Sequence, residues 1–559
     1  MKKIFIITAF LAFCFSMLHA QESAAELPYS FTHRGISLNI DNVRLPDIDN
    51  ERLFAEDEAR AKEDRLLRLA VGHNVGYTFA NCGRVDSFAD GKLWRVKFSS
   101  KDAVMMSIVF DRFNLPREGR LFVYSPDREQ VFGPYTNHDV QEVGKALTDE
   151  VVGDEVVVEY FEPAGAEFRG DVRIAGIMHT YRDFLHIAKT DRGPHGTAEG
   201  SCHIDVACPE GVGWEDEINA VVGISITANV PSEGGWASYW CTGAMVNNVR
   251  MDKTPYVLAA NHCVAASDQL HRFYFNYQLA TCGGSAGNSN YSANGGVIVA
   301  RSSTNSDNYS ANSDFLLLRI TGNLGALYRN KIVFAGWDRS GASSLGAGIH
   351  HPGGDWKKIS LPRNVSTINS GYYANKYFEV FWRTNPNKGV TEQGSSGSPL
   401  FNGRHLIIGT LTAGSSSCTY PGESDLYGRL AYHWNNNGAT ANDRKLQPWL
   451  DPDNTGATTL NSMRYDGSVI TGIADQQLEE TFTVAPNPVT SGTVTVNGDF
   501  LTENAVCNIY NTMGQLVMSK DVETSSTFTI NVNALTNGVY FVEIRGSQRN
   551  YMSKMIISR

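Results

Sequence analysis

Residues 390–401 read VTEQGSSGSPLF and place three serines among two glycines and a proline. A run of this composition is usually a flexible loop or a turn. It lies far from either end of the chain and is followed by an apolar run, LIIGTL, at residues 406–411. A serine nucleophile here needs a base, a group that orients the base, and an oxyanion site. The rest of the chain decides whether these serines are chemical or structural.

The 559-residue chain is too long for one hydrophobic core, so two to four domains are expected. Residues 1–20 carry two lysines, an apolar run too short to span a bilayer comfortably, and a small residue at the cleavage end. They predict a secretory signal peptide, with an N-terminal membrane anchor as the alternative. Residues 21–189 begin with a charged piece at 51–70 that predicts a helix, followed by strand-like runs.

The middle block, residues 190–467, is rich in Gly, Ser and Asn and has many short β-type runs. This pattern predicts an all-β barrel or sandwich. A short acidic linker at 468–480 leads to residues 481–559, where alternating strands predict a small Ig-like β-sandwich. The whole chain is therefore expected to be mostly β, with an α+β or β-rich first block.

The composition limits the partners. The formal charge is -11 without a cluster of basic residues, which argues against nucleic acid. The sequence contains neither C-x-x-C nor H-E-x-x-H, so we expect no metal and no cofactor. Nine cysteines occur, and six of them lie between positions 202 and 418. In an exported protein such a group indicates disulfides rather than zinc.

Three residues of the middle block have the properties of a catalytic constellation. His262 ends an apolar strand in PYVLAANHCV, and a Cys241–Cys263 bridge would fix its backbone. Asp314 precedes the apolar strand in SDFLLLRI. Taken alone, the histidine could simply pack at a strand end, and the aspartate could form a turn.

The glycines of GSSGSP permit a tight turn whose N–H groups converge on one point, as an oxyanion hole requires. The order His, Asp, Ser is one of the known orders of the catalytic triad.

Ten segments of the middle block now carry a specific resemblance. They are GSCHIDVACPEG, CTGAMVNN, YVLAANHC, SDFLLLRI, FAGWDRSG, IHHPGG, GVTEQGSSGSPLF, SSSC, SDLYGRL and WLDPDNTGA. The block resembles the chymotrypsin-like serine peptidases, and more closely their bacterial lysyl endopeptidase branch. The resemblance implies a double β-barrel, with His262 as base, Asp314 as its orienting group and Ser396 as nucleophile. The oxyanion hole would be formed by the N–H groups of Gly394 and Ser396.

The resemblance also implies the cysteine pairs and the specificity pocket. The implied pairs are Cys202–Cys418, Cys208–Cys282 and Cys241–Cys263, whereas sequence alone leaves 15 pairings open. Cys82 and Cys507 remain unassigned. Asp425 in SDLYGRL would pair with a substrate ammonium group, which favours cleavage after lysine; without the resemblance it reads as a surface turn residue.

The residues that would pair with the substrate backbone as an added strand lie near Thr412 and Gly414. Thr412 stands where lysyl endopeptidases can carry a histidine, and Tyr372 or Tyr373 would replace that histidine's aromatic partner. These departures bear on catalytic efficiency and on the pH optimum.

The flanking blocks suggest export and activation. Trypsin is switched on when a new amino terminus pairs with the aspartate before the nucleophile, and Ser395 removes that option here. Residues 21–189 therefore read as a propeptide, with self-cleavage expected near Lys189. The last block resembles the C-terminal sorting domain of the type IX secretion route of Bacteroidetes, through VAPNPV, YNTMGQLV, LTNGVYFVEI and KMIISR. A generic accessory β-sandwich is the alternative.

Together these features predict a secreted or cell-surface zymogen of a serine endopeptidase that acts on protein and peptide substrates as a monomer. Two alternatives stay open. One is the same fold with arginine or another specificity, because arginine is also cationic but larger and planar. The other is a catalytically silent adhesin-like homologue, whose hallmark would be a broken triad; none of the three residues is broken.

Overall fold

The protein is described here from a computed structural model. It describes residues 26–470 and 483–559, except 38, 62–65, 187–199, 285–286, 288–290, 305–312, 323, 325–330, 372, 385–388, 437, 498–504, 512–515, 523–526 and 546–549. The predicted signal peptide, most of the predicted linker, the expected cleavage position Lys189 and Tyr372 therefore lie outside the described residues. Within those residues, no helix is long and apolar enough to cross a membrane.

The first block is built mainly of strands. Its elements are α1 (Tyr29–Thr32), β1 (Asn42–Arg44), α2 (Asn50–Ala61), β2 (Leu67–Thr78), β3 (Arg84–Ser87), β4 (Gly91–Ser99), β5 (Met105–Asn114), β6 (Arg120–Tyr124), β7 (Val131–Tyr135), β8 (Ala146–Leu147), β9 (Val151–Val152), β10 (Glu155–Pro163) and β11 (Asp171–Thr180). A core of aliphatic and aromatic side chains, including Val96, Ile108 and Val158, lies between its two sheets.

The helix predicted over residues 51–70 is wrong at its carboxyl end. Helix α2 ends at Ala61, and residues from Leu67 onward form β2. The charged, helix-favouring composition does not decide the conformation there, because β2 pairs on one edge with β11. Leu67 and Leu69 are almost fully buried in a long-range core. Tertiary packing has overridden local propensity.

The middle block is almost entirely β. Its elements are β12 (Ile204–Asp205), α3 (Glu215–Ala220), β13 (Val221–Val230), β14 (Gly235–Val246), β15 (Tyr256–Ala259), β16 (Leu270–Phe275), β17 (Tyr291–Asn294), β18 (Gly296–Arg301), β19 (Leu316–Ile320), β20 (Val333–Phe334), β21 (Trp337–Asp338), β22 (Ala347–His350), β23 (Lys358–Ser360), β24 (Pro362–Thr367), β25 (Tyr377–Trp382), β26 (Pro399–Phe401), β27 (Ile407–Gly414), β28 (Ser424–Arg429), α4 (Leu430–His433), α5 (Gln447–Leu450), β29 (Thr459–Leu460), β30 (Ser462–Arg464) and β31 (Val469–Ile470). The mostly β class predicted from the sequence is confirmed.

Two barrel-like sheets make up most of this block. Strands β13 to β19 belong to one sheet, and β12 together with most strands from β21 to β29 belongs to the other. One apolar core joins them, because side chains of the first sheet such as Leu258 and Leu317 pack in the same cluster as Trp337 and Phe401 of the second. The loops that carry the candidate site residues leave these sheets near this junction.

The first block and the middle block share a sheet. Strand β2 pairs antiparallel with β14, in the register Ala237↔Val71 to Trp240↔Leu67, so the sheet runs on from β13 and β14 into β2, β11 and β5. Trp240 is completely buried in a cluster that includes Leu67 and Phe184 of the first block. The predicted propeptide is therefore an integral layer of the fold in the uncleaved chain.

The last block forms two small sheets around its own core. Its strands are β32 (Thr483–Ala485), β33 (Thr493–Asn497), β34 (Ala505–Asn511), β35 (Leu516–Val522), β36 (Thr527–Asn531), β37 (Gly538–Arg545) and β38 (Asn550–Ile557). A three-stranded and a four-stranded sheet share a core that includes Val494, Ile509 and Val542. This arrangement has the two layers of a sandwich; the Ig-like detail and the block boundaries stay predictions.

Candidate active site

His262 and Asp314 are brought together by two neighbouring strands. Strand β15 pairs antiparallel with β19 and aligns Ala259 with Leu316. Because His262 follows the end of β15 and Asp314 precedes the start of β19, both residues lie at the same edge of the sheet. The carboxylate of Asp314 accepts from the backbone N–H of His262 at 2.9 Å and from its ring Nδ1 at 2.7 Å.

The two residues differ in exposure in the way that proton transfer requires. Asp314 is fully buried, whereas the His262 side chain keeps 15% of its surface exposed. The Nδ1–carboxylate contact fixes the tautomer that leaves Nε2 able to accept a proton. The arrangement is that of a base held by an orienting acid.

The turn that carries Ser396 is packed against the strand next to His262. The N–H of Thr242, in β14, donates to the carbonyl oxygen of Ser396 at 2.9 Å, and its hydroxyl donates to that of Gly394 at 2.9 Å. A Cβ on Gly397 would fall 2.5 Å from the Thr242 carbonyl oxygen and 2.7 Å from the Ala260 nitrogen. Only glycine permits this approach, which brings the turn beside the segment that ends in His262.

The backbone of the same turn is shaped for an anion. Gly394 has φ +96° and Gly397 has φ +83°, both in the region that favours glycine. Among the described residues, the N–H groups of Gly394 and Ser396 have no protein acceptor. Ser396 itself is half-buried. Unpaired N–H groups next to an accessible hydroxyl are what an oxyanion hole requires.

Asp425 lies in a buried polar pocket rather than in a surface turn. The residue is fully buried in β28, which pairs with β27 so that Gly414 lies opposite it. Its Oδ2 accepts from the indole N–H of Trp382 at 2.5 Å and from the hydroxyls of Thr391 and Ser416 at 2.6 Å. The Ser416 N–H donates to Oδ1 at 3.1 Å.

The environment of Asp425 has two opposing effects on its charge. Burial raises the pKa of the carboxyl group, and the hydrogen bonds from Ser416, Thr391 and Trp382 oppose this shift. A carboxylate held in this way can pair with a cation that enters the pocket. A Cβ on Gly414 would fall 2.0 Å from Asp425 Oδ1, so glycine leaves the approach to the carboxylate open.

The sequence reasoning did not identify the three residues that hold Asp425, although two of them lay in quoted motifs. Thr391 belongs to GVTEQGSSGSPLF and Ser416 to SSSC, while Trp382 ends the apolar run of β25. Their hydroxyl and indole groups are possible donors to a buried acid, but sequence does not show which acid they face. Long-range pairing of β25 with β28 creates the contact.

Thr412 and Tyr373 have separate positions in the second sheet. Thr412 is buried in β27, 6% exposed, on the strand expected to receive the substrate backbone. Tyr373 packs edge-on against Tyr377 with ring centroids 5.5 Å apart. Their expected roles stay predictions.

His433 is a further buried residue near the site that the sequence gave no reason to single out. It lies 3.1 Å from the Thr410 hydroxyl, and burial lowers its pKa to about 3, while the charge of Asp314 opposes the shift. The ring is therefore neutral and acts as packing behind the acid.

Three disulfides connect the pairs that the resemblance implies. They are Cys202–Cys418, Cys208–Cys282 and Cys241–Cys263, while Cys82 and Cys507 are free. Cys202, Cys418 and His203 lie close enough together to suggest a metal site. Because both sulfurs are already joined in a disulfide, neither offers a thiolate to a metal.

Comparison with known proteins gives two family matches. Residues 196–428 match the model described as "Lysyl endopeptidase, C-terminal domain", and residues 483–558 match "Secretion system C-terminal sorting domain". A curated protein named "Lysyl endopeptidase" from Pseudomonas aeruginosa is 32% identical over 284 residues, which cover 48% of this chain and 57% of that protein. The chain thus spans little more than half the length of this relative.

Solved structures give weaker similarities. Human heparin binding protein matches with a TM-score of 0.27 and 14% identity, over 39% of this chain and 88% of that one. A mutant of the same human protein matches with a TM-score of 0.25 and 14% identity, over 37% of this chain and 85% of that one. Both scores are too low to add to the description of the fold.

The family matches confirm the recognition made from the motifs. They coincide with the block that holds the His262–Asp314 pair and with the last block. The sorting domain also points to an extracellular or cell-surface location, in agreement with the predicted signal peptide. Residues 196–428 therefore belong to the lysyl endopeptidase family, and the chain ends in a secretion-system C-terminal sorting domain.

Proposed function

We propose that this protein is a secreted serine endopeptidase that hydrolyses peptide bonds on the carboxyl side of lysine. The observation that carries the proposal is the Asp314–His262 pair at 2.7 Å, next to a glycine turn that bears a half-buried serine. The lysyl endopeptidase family match over the same residues supports it.

The reaction follows from the roles of these groups. His262 Nε2 takes the proton from the Ser396 hydroxyl as its oxygen attacks the carbonyl carbon of the substrate. Asp314 stabilises the imidazolium that forms, and the N–H groups of Gly394 and Ser396 stabilise the oxyanion. His262 then protonates the leaving amine, and an acyl-enzyme on Ser396 remains. Water, deprotonated by the same histidine, releases the acid product.

Lysine specificity is proposed from the pocket of Asp425. A buried carboxylate gains most from a compact ammonium group at the end of a long apolar stem, and it rejects neutral side chains because these leave it unpaired. The planar guanidinium of arginine is the nearest competitor because it needs a wider fork-shaped contact.

Chromogenic peptides with Lys, Arg, Glu or Phe before the scissile bond test the specificity. We expect cleavage after Lys to exceed that after Arg, with Glu and Phe inert. The D425N variant should lose cleavage after Lys while its Ser396 still reacts with a fluorophosphonate. Efficient cleavage after Phe or Glu with Lys inert would refute the role of Asp425. The S396A variant should be inactive with every peptide, and a silent homologue would be inactive without any mutation.

The flanking blocks are proposed to serve maturation and export. Residues 21–189 act as a propeptide that the enzyme cuts near Lys189, and the last block engages the secretion machinery before the enzyme works as a monomer. Sequencing the amino terminus of the secreted protein tests the cut, which should fall within about residues 190–196. Normal maturation of S396A would exclude self-cleavage. Deletion of residues 483–558 should leave the protein inside the cell envelope.

A further inference from the structure

The side chain of Glu392 connects the oxyanion turn to the first residues of the middle block. Glu392 lies two positions before Gly394. Its Oε2 accepts from the backbone N–H of Gly200 at 2.8 Å and from Nε2 of His203 at 3.0 Å. The N–H of Cys418 points to Oε1 over 3.5 Å. One carboxylate therefore gathers three donors that are distant from it in sequence.

The packing around this carboxylate leaves little freedom. A Cβ on Gly200 would fall 2.3 Å from the Cys418 sulfur and 2.8 Å from Glu392 Oε1, so the backbone passes close to both groups. The Cys202–Cys418 disulfide holds the same segment. The His203 side chain is 1% exposed and that of Glu392 is 19% exposed.

Glu392 is ionised in this setting. Burial opposes its ionisation, but hydrogen bonds from His203, Gly200 and Cys418 outweigh burial and lower the pKa of the carboxyl group. A charged acceptor makes hydrogen bonds about twice as strong as a neutral one.

Ser395 holds the other side of the same turn. Its hydroxyl accepts from the N–H of Glu392 at 3.4 Å and bonds Nδ1 of His350 at 2.7 Å. Nε2 of His350 lies 2.9 Å from the Ser360 hydroxyl, which donates to the Val390 carbonyl oxygen at 3.0 Å. Burial keeps the pKa of His350 well below its usual value, so this ring is neutral. Both anchors are thus present in the uncleaved chain.

We propose that Glu392 is a positioning residue for the oxyanion hole, holding the Gly394 N–H in place by tying the turn to Gly200 and His203. The inference rests on the proposed function, because it assigns a role within that reaction. The carboxylate and Gly394 are separated by a short stretch of backbone. A displacement of about 1 Å of a group that stabilises the transition state can cost roughly a hundredfold in rate. The tie takes the place of the amine–aspartate contact that Ser395 excludes.

The test compares E392A and E392Q with E217Q in the matured protein. Glu217 is a matched control, because it is also a buried carboxylate paired with a histidine, His405, at 3.0 Å, and its partners lie outside the turn. The measurements are kcat and KM for a lysyl peptide, the affinity for a lysyl peptide aldehyde, and the melting temperature.

For E392A we expect kcat to fall roughly 10- to 100-fold, which is less than the loss of an oxyanion donor itself. The affinity for the aldehyde, whose adduct occupies the hole, should fall by a similar factor, with KM changed less than twofold. E392Q should recover part of the loss, since its amide oxygen can accept from Gly200. E217Q should keep the kcat of the parent enzyme.

A loss of melting temperature in E392A with kcat and aldehyde affinity unchanged would overturn the proposal, as would a change confined to KM. If E392A does not fold, E392Q and H203Q give the same comparison. Labelling of the unsubstituted enzyme by a fluorophosphonate separates the two hypotheses. A labelled enzyme with unchanged E392A kinetics contradicts the positioning role alone, whereas no labelling and no cleavage contradict the proposed function and the inference with it.

Discussion

The carboxylate of Asp314 binds both the backbone and the ring of His262, with one oxygen on the N–H at 2.9 Å and the other on Nδ1 at 2.7 Å. The acid therefore sets the position of the histidine as well as its tautomer. A change that keeps the shape of the acid but alters its hydrogen bonding separates these two effects.

The D314N variant should keep the fold and lose most of the activity. An amide can donate to Nδ1 and so stabilise the wrong tautomer, for which a loss of roughly 10³- to 10⁴-fold in kcat is expected. Peptide hydrolysis at pH 8 measures it. D451N is the control, because Asp451 is an equally buried acid that accepts from Thr455 and Gly456 away from the site. Comparable losses in both variants would contradict the specific role of Asp314.

The G414A variant should narrow the approach to Asp425. The added Cβ would fall 2.0 Å from the carboxylate, so either β27 or the Asp425 side chain must move. KM for lysyl peptides should rise at least about tenfold, because the charge pair depends on a close approach. G422A is the control, since a Cβ there meets nothing within 4 Å. An unchanged KM in G414A would exclude this edge of β27 from the pocket.

Removal of the Cys241–Cys263 disulfide should lower stability as well as activity. The bond closes a separation of 22 residues, for which the chain-entropy model gives about 3 kcal/mol. Urea unfolding of the C241S/C263S double variant, followed by circular dichroism, measures the change in the free energy of unfolding. C82S should behave like the parent protein, because Cys82 is free. A double variant as stable and as active as C82S would show that the bond does not hold His262.

Acid should destabilise the fold through buried neutral histidines. His271 donates from Nδ1 to the Gly296 carbonyl oxygen and accepts at Nε2 from the Gln269 amide, whose oxygen is already engaged by the N–H of Ala265. Burial lowers the pKa of His271 to about 4, from 6.5 in the unfolded chain. Between these values the unfolded chain binds the additional proton. The stability from this group is thus complete above about pH 6.5 and falls as the pH drops toward 4.

Urea titrations between pH 7 and pH 4 measure this slope. H271N should flatten it by up to about 1.4 kcal/mol per pH unit, even though the variant is less stable at pH 7. H138N is the control, because His138 is exposed. An unchanged slope in H271N would show that the acid sensitivity arises from other groups. His351 and His433, each with a pKa lowered to about 3 by burial, act in the same direction.

The sequence predicted the parts of the site that are carried by short motifs. The order of His262, Asp314 and Ser396, together with the glycines of the turn, depends on local composition and is visible without a structure. The contacts around Asp425 and Glu392 are not, because they join residues that are far apart along the chain. Gly200 and Glu392, for example, meet across 192 positions.

The first block shows the same limit at the level of the fold. A charged, helix-favouring segment continues into β2, because the edge of β14 and the cavity around Trp240 stabilise a strand there. Composition alone describes the segment, whereas the partner strand, 170 positions away, determines its conformation.

The ladder between β2 and β14 has a consequence for the life of the matured enzyme. Cutting the chain between the two blocks breaks a peptide bond, but it leaves every hydrogen bond of that ladder in place. If the first block departs, residues 237–240 become an open strand edge beside a large indole ring, a surface prone to pair with another chain. Scission and separation are therefore distinct events, and the interval between them governs whether the newly freed enzyme stays dispersed or aggregates.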